Sequence, residues 1–102
     1  MLTIEEIRSK IRPVCKKYEI KTAYLFGSYA RNDATEKSDV DIRIDDGGSK
    51  KLRGLIQVSG MQIELEDALG KKVDLITILP KDELYSIFRK NVLADEVIIY
   101  EA

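Results

Sequence analysis

From Asp39 to Asp45 apolar and polar residues alternate one for one: Val40, Ile42 and Ile44 are apolar, and Asp39, Asp41, Arg43 and Asp45 are polar. A period of two is that of a strand with one buried face. Nearer the start the period changes. Ile4, Ile7, Ile11 and Val14 recur at spacings of three and four, the stripe of an amphipathic helix, and Thr3 with Glu6 makes a capping box ahead of it. Pro13 removes a main-chain hydrogen bond and is expected to bend the last turn. Between these two segments, Ala23-Tyr24-Leu25-Phe26 reads as a short strand that runs into Gly27-Ser28 and then into a segment able to turn into a helix.

After the Gly47-Gly48-Ser49 loop a helix is expected from about Lys50 to Leu69, with Ser49 as N-cap and Gly70 as its stop. Leu52, Leu55, Ile56, Leu65 and Leu69 are its expected inward positions. Gly54 and Gly60 each cost about 1 kcal/mol relative to alanine inside a helix, so this one either breaks or brings its backbone close to a neighbour. Lys72 to Leu79 is a second β-rich run, with Asp74 near its start. Pro80-Lys81-Asp82-Glu83 reads as a helix start with acids in the first turn, followed by Leu84, Ile87 and Phe88 facing inward. Val97-Ile98-Ile99-Tyr100 would close the sheet at an edge. A helix between the two acid-bearing strands implies an α/β (α+β) layout, a small mixed sheet with helices packed mainly on one face. One domain is expected, covering residues 1–102.

On a strand, Asp39 and Asp41 leave the same face about 7 Å apart, and carboxylate arms that long can converge on two Mg²⁺ ions about 3.5–4 Å apart. Asp74 on a neighbouring strand would complete the cage. Gly27 lets the backbone approach a phosphate. Ser28 offers a hydroxyl where an N-cap would sit, and free N–H groups at a helix start attract anions. Arg31 is either a forked donor to a phosphate oxygen or a salt-bridge partner for nearby acids. Arg43 shares the face of the two aspartates and is read first as a salt-bridge residue, with neutralisation of the aspartates or contact with substrate as the alternative. Asp45 and Asp46 read as loop charges. Gly-Ser alone is common in turns, and Asp-x-Asp alone more often marks a solvated strand edge; the joint set Gly27, Ser28, Asp39, Asp41 and Asp74 carries the weight.

Three segments, Gly27-Ser28-Tyr29-Ala30-Arg31-Asn32, Ser38-Asp39-Val40-Asp41-Ile42 and Val73-Asp74-Leu75, resemble in order and spacing the minimal nucleotidyltransferases of the DNA polymerase β superfamily. Asn32 stands where that family usually has glycine; asparagine is the non-glycine residue that best tolerates a left-handed conformation. Ile42 replaces a more usual leucine. The resemblance implies a polymerase-β-like fold and transfer of a nucleoside monophosphate from a triphosphate to a hydroxyl, with loss of pyrophosphate. It implies roles as well: Gly27, Ser28 and Arg31 on the nucleotide's phosphates, Asp39 and Asp41 on two Mg²⁺ ions, and Asp74 completing the second ion's ligands and accepting the acceptor's proton.

Stand-alone members of this kind resemble the antitoxin half of a two-gene module whose toxin is a helical HEPN-domain RNase, silenced when AMP from ATP is placed on one of its tyrosines. That is the preferred reading, and it makes the protein one member of a hetero-oligomer. Two others stand beside it: a non-catalytic nucleotide- or toxin-binding antitoxin that acts by complex formation, and nucleotidyl transfer to a small-molecule hydroxyl, which would call for a further helical region. A neighbouring gene for a small helical protein with an Arg-x-x-x-x-His motif would favour the first.

Composition narrows the alternatives. With 17 basic and 18 acidic residues the net charge is −1, so there is no basic surplus for a nucleic acid as main partner. The pairs Lys16-Lys17, Lys50-Lys51 and Lys71-Lys72 read as solvated surface. The absence of histidine excludes a Ser-His-Asp triad and a His-rich zinc site; carboxylates and oxygen-preferring Mg²⁺ remain. Cys15 is the single cysteine and reads as inert packing, in keeping with a reducing cytoplasm. The amino terminus lacks the pattern of a signal peptide, and no run has the apolar length of a membrane span.

Overall fold

The computed structural model describes residues 1–77 and 86–102, including the side chains of all of these except 86–89 and 91. In chain order the elements are α1 (Ile4–Lys17), β1 (Thr22–Phe26), α2 (Gly27–Arg31), β2 (Val40–Asp45), a 3₁₀ turn (Lys50–Leu52), α3 (Leu55–Leu69), β3 (Val73–Ile76), α4 (Ser86–Asp95) and β4 (Val97–Glu101). The strands form one sheet in the order β3-β2-β1-β4. β1 runs antiparallel to β2 and to β4, whereas β2 and β3 are parallel and joined through α3. The mixed sheet and the edge position of β4 are as the sequence predicts. The helix start expected at residues 80–83 and the inward side chains of Leu84, Ile87 and Phe88 lie outside the described residues.

The core is the alternating face of the strands closed by two helices. Val40, Ile42 and Ile44 of β2 and Ala23 and Leu25 of β1 meet Ile7, Ile11 and Cys15 of α1 and Met61, Leu65 and Leu69 of α3, all buried. Each large aliphatic side chain so buried contributes about 1.5–3 kcal/mol. The ion pairs on the outside, such as Lys51 with Glu19 at 3.7 Å, are worth about 0–1 kcal/mol each, so packing rather than charge fixes the layers. The capping box is present, with the Glu6 amide donating to Thr3 Oγ1 and the Thr3 amide to Glu6 Oε1. α1 continues past Pro13 to Lys17.

The expected helix over Lys50 to Leu69 is broken, and Gly54 is the reason. It is the N-cap of α3 rather than an interior residue, while Ser49 caps only the 3₁₀ turn, accepting from the Lys51 amide at 3.2 Å. Starting the helix at Leu55 sets its phase so that Val58, Met61, Leu65 and Leu69 point inward. Leu55 and Ile56 are each 85% exposed and are not core residues. Gly60 answers the other half of the expectation, because a Cβ there would lie 3.2 Å from the Tyr18 hydroxyl, which donates to Glu64 across the α1–α3 seam. Gly70 ends the helix at φ +66°, as predicted.

Candidate functional site

The opposite face of the sheet carries Tyr24, Asp41, Arg43 and Asp74, brought into line by register. Asp41 pairs with Asp74 across the parallel β2–β3 ladder and with Phe26 across the antiparallel β1–β2 ladder. Two acids therefore sit side by side at the end of the sheet where β1 leads into Gly27. Asp39, exposed, lies just before β2 at the same parity as Asp41. Among the described residues no three acidic side chains close on one point; like charges at this range repel, and a multivalent cation would be needed to draw them in.

Gly27 is fixed by two constraints. Its φ is +72°, and a Cβ placed on it would overlap Asp41 Oδ2. The turn backbone is thus packed directly against a carboxylate. Ser28 is the second residue of α2, not its N-cap: the cap is Phe26, without a side-chain bond. The reason is that the helix begins at the end of β1, two residues earlier than a serine cap would place it. Tyr29 anchors this short helix in the core at 5% exposure, so Gly27 and Ser28 stand on a fixed support. Asn32 takes the left-handed C-cap at φ +63°, ψ +31°, as its place in the usual glycine position predicts.

Electrostatics single out Asp41. Burial pushes its carboxyl up to about 6 from the ordinary 3.8, Asp74 and Asp39 reinforce the rise, and Arg31 opposes it. A carboxyl raised in this way stabilises the fold while it is protonated; that contribution is complete below about pH 3.8 and is lost as pH climbs through about 6. Asp41→Asn has no such group to titrate. Its melting temperature, followed by circular dichroism without divalent cations, is therefore expected to overtake that of the wild-type chain as pH rises through this window. Identical pH profiles for the two proteins would refute the assignment.

The arginines are occupied by acids. Arg31 Nε donates to Asp33 Oδ2 and Nη1 to Asp95 Oδ2, both at 3.2 Å, so in this state it is the salt-bridge residue. Arg43 is held by Glu96 through two bonds, Nε to Oε2 at 2.9 Å and Nη2 to Oε1 at 2.7 Å, and its guanidinium lies 4.0 Å from the centre of the Tyr24 ring. The salt-bridge reading of Arg43 is thus met. Asp46 is a loop charge as expected, whereas Asp45 is the last residue of β2, paired with Thr22; the two accept from the amides of Gly48 and Gly47 respectively. Asp95 and Glu96 were not legible as site residues. Their arginines are 64 and 53 positions away in the chain, and the only local signal was two consecutive acids at the α4–β4 junction.

The set fits a divalent cation. Asp39, Asp41 and Asp74 all offer carboxylate oxygens, the donors that hard Mg²⁺ takes. Burial is the largest cause of the rise at Asp41, and the charges of Asp74 and Asp39, which add to it, are what a cation would relieve. Among the described residues no helix is long and apolar enough to cross a membrane.

Residues 9–102 match the family model described as Polymerase beta, Nucleotidyltransferase. A relative from Methanocaldococcus jannaschii, named as a candidate protein adenylyltransferase, is 38% identical over 96 residues, 94% of this chain and 97% of its own. Protein adenylyltransferase MntA of Thermococcus cleftensis is 34% identical over 103 residues, 97% of this chain and 98% of its own. The solved complex of a tri-AMPylated Shewanella oneidensis HEPN toxin with MNT antitoxin matches 98% of this chain and 74% of the solved one, with a TM-score of 0.66 at 19% identity. At that identity the likeness concerns the fold, a polymerase-β-like nucleotidyltransferase fold.

Proposed function

This chain belongs to the polymerase β nucleotidyltransferase family, and we propose that as a member of it the protein transfers AMP from ATP to a tyrosine hydroxyl of a cognate HEPN-domain toxin in the cytoplasm, acting as its antitoxin. The observation that carries this reading is the register that sets Asp41 beside Asp74 and against the Gly27 turn. The names of the relatives support adenylyl transfer to a protein.

In this reading Asp39, Asp41 and Asp74 would hold two Mg²⁺ ions, which supply positive charge to the α-phosphate and to the attacking oxygen when bound. The backbone at Gly27 and the Ser28 hydroxyl hold the outgoing β- and γ-phosphates. Arg31 exchanges Asp33 and Asp95 for a phosphate oxygen, a charge-assisted contact with the same forked donors. The acceptor oxygen bonds to the α-phosphorus, the bond from that phosphorus to the bridging oxygen breaks, and pyrophosphate leaves. The hydroxyl proton passes to an oxygen of Asp74. Positioning and charge make up nearly all of the protein's contribution.

The test is to incubate the purified chain with the protein encoded by the adjacent gene, Mg²⁺ and each ribonucleoside triphosphate in turn, and to read the intact mass of both chains. AMP-sized gains on the partner with ATP are expected. Co-purification with no mass change would instead mark a binder that masks its partner.

A further inference from the structure

Two arginines flank the acidic cluster, and consecutive residues at the α4–β4 junction hold them in different ways. Asp95, the last residue of α4, takes Arg31 through a single contact at 3.2 Å; Arg31 is 46% exposed and shared with Asp33. Glu96 takes Arg43 with both oxygens, the two side chains only 12% and 17% exposed, and Tyr24 stacks beneath the guanidinium. The first pair is an exposed contact that can exchange; the second is a part-buried fork that engages both carboxylate oxygens.

Arg43 leaves the same face of β2 as Asp41, two residues on, a separation of about 7 Å. An arginine side chain can span that distance. Released from Glu96, its guanidinium would find three carboxylates with no arginine of their own except the partial pull of Arg31, and a bidentate pair there would occupy the oxygens a metal ion needs.

We infer that Glu96 is a positioning residue that parks Arg43 on Tyr24 and so keeps Asp39, Asp41 and Asp74 free to receive a divalent cation. This rests on the metal-site reading above. A purely structural Glu96, one that only ties the start of β4 to β2, would have a different signature, because its loss would not be repaired by removing the arginine as well.

The experiment is Mn²⁺ binding to the purified chain without nucleotide, by electron paramagnetic resonance of the free ion, with circular dichroism melts as the fold check. Wild-type protein is expected to bind and Asp41→Asn to lose binding. Glu96→Gln is expected to bind about tenfold more weakly, the scale of one close charge competing at a half-buried site, and the double variant Arg43→Gln/Glu96→Gln to return to the wild-type value. If Glu96→Gln gives no cooperative melt, Glu96→Asp, which keeps the charge but shortens the fork, carries the same comparison, alone and with Arg43→Gln. Binding indifferent to Glu96, or a double variant as weak as the single, overturns the inference and leaves the metal site standing. Absence of any Asp41-dependent binding in the wild-type chain overturns both.

Discussion

Asp41→Asn is expected to abolish AMP transfer while leaving a folded protein. Asp41 is the carboxylate on which the site's geometry converges: it pairs in register with Asp74, lies against Gly27, and feels both Asp74 and Asp39. In the two-metal reading it faces both ions, so the amide variant removes one negative charge from two contacts at once. If that charge is worth only about 4 kcal/mol of transition-state stabilisation, turnover falls about a thousandfold. Stability should move the other way. The charged form of Asp41 is disfavoured in the fold, so its neutral isostere melts at the same temperature or higher above about pH 6. A carboxylate kept for structure would lose activity and stability together. Intact mass of the partner against time, beside melting curves, separates the two cases.

Gly27→Ala is expected to cripple the same site from the opposite side. The new methyl group meets Asp41 Oδ2, and the residue must also hold φ +72°. The backbone term alone costs about 1–2 kcal/mol, several degrees of melting temperature in a domain of this size. The larger effect is on rate, because a carboxylate displaced by about 1 Å loses about a hundredfold. Gly48 provides the control: its φ is +80°, yet a Cβ there meets nothing within 4 Å. Gly48→Ala should therefore lose stability comparably and keep its turnover. Equal rate losses in the two variants would mean that loop strain, and not the Gly27 contact with Asp41, governs the reaction.

Local rules read part of this molecule well, and the failures have definite causes. The strict alternation around Val40, Ile42 and Ile44 fixed which side chains of β2 face the helices and, by parity, that Asp39 and Asp41 share the other face. The Thr3–Glu6 box and the stop at Gly70 are short-range chemistry, and both are present. Asn32 could be read as a left-handed residue because few side chains tolerate that conformation. α3 starts five residues later than its pattern suggests, at Leu55 rather than Lys50. Leu55 and Ile56 are apolar but lie on the outer face, and a helix with apolar residues on both sides does not declare its phase until its cap is known. Ser28 lies inside α2 for a related reason, since the end of β1, and not the serine, starts the helix. Asp95 and Glu96 depend on where α4 delivers the chain relative to β2, a tertiary fact that no periodicity carries.

A nucleotidyltransferase moves the α-phosphorus with its nucleoside, whereas a kinase moves the γ-phosphoryl group alone. The most direct measurement is label transfer to the partner protein from ATP radiolabelled at the α-phosphate or at the γ-phosphate, in the presence of Mg²⁺. Label is expected on the partner from α-labelled ATP only, and it is expected to be lost in Asp41→Asn. Label from γ-labelled ATP, or label that persists in that variant, would contradict nucleotidyl transfer at this site.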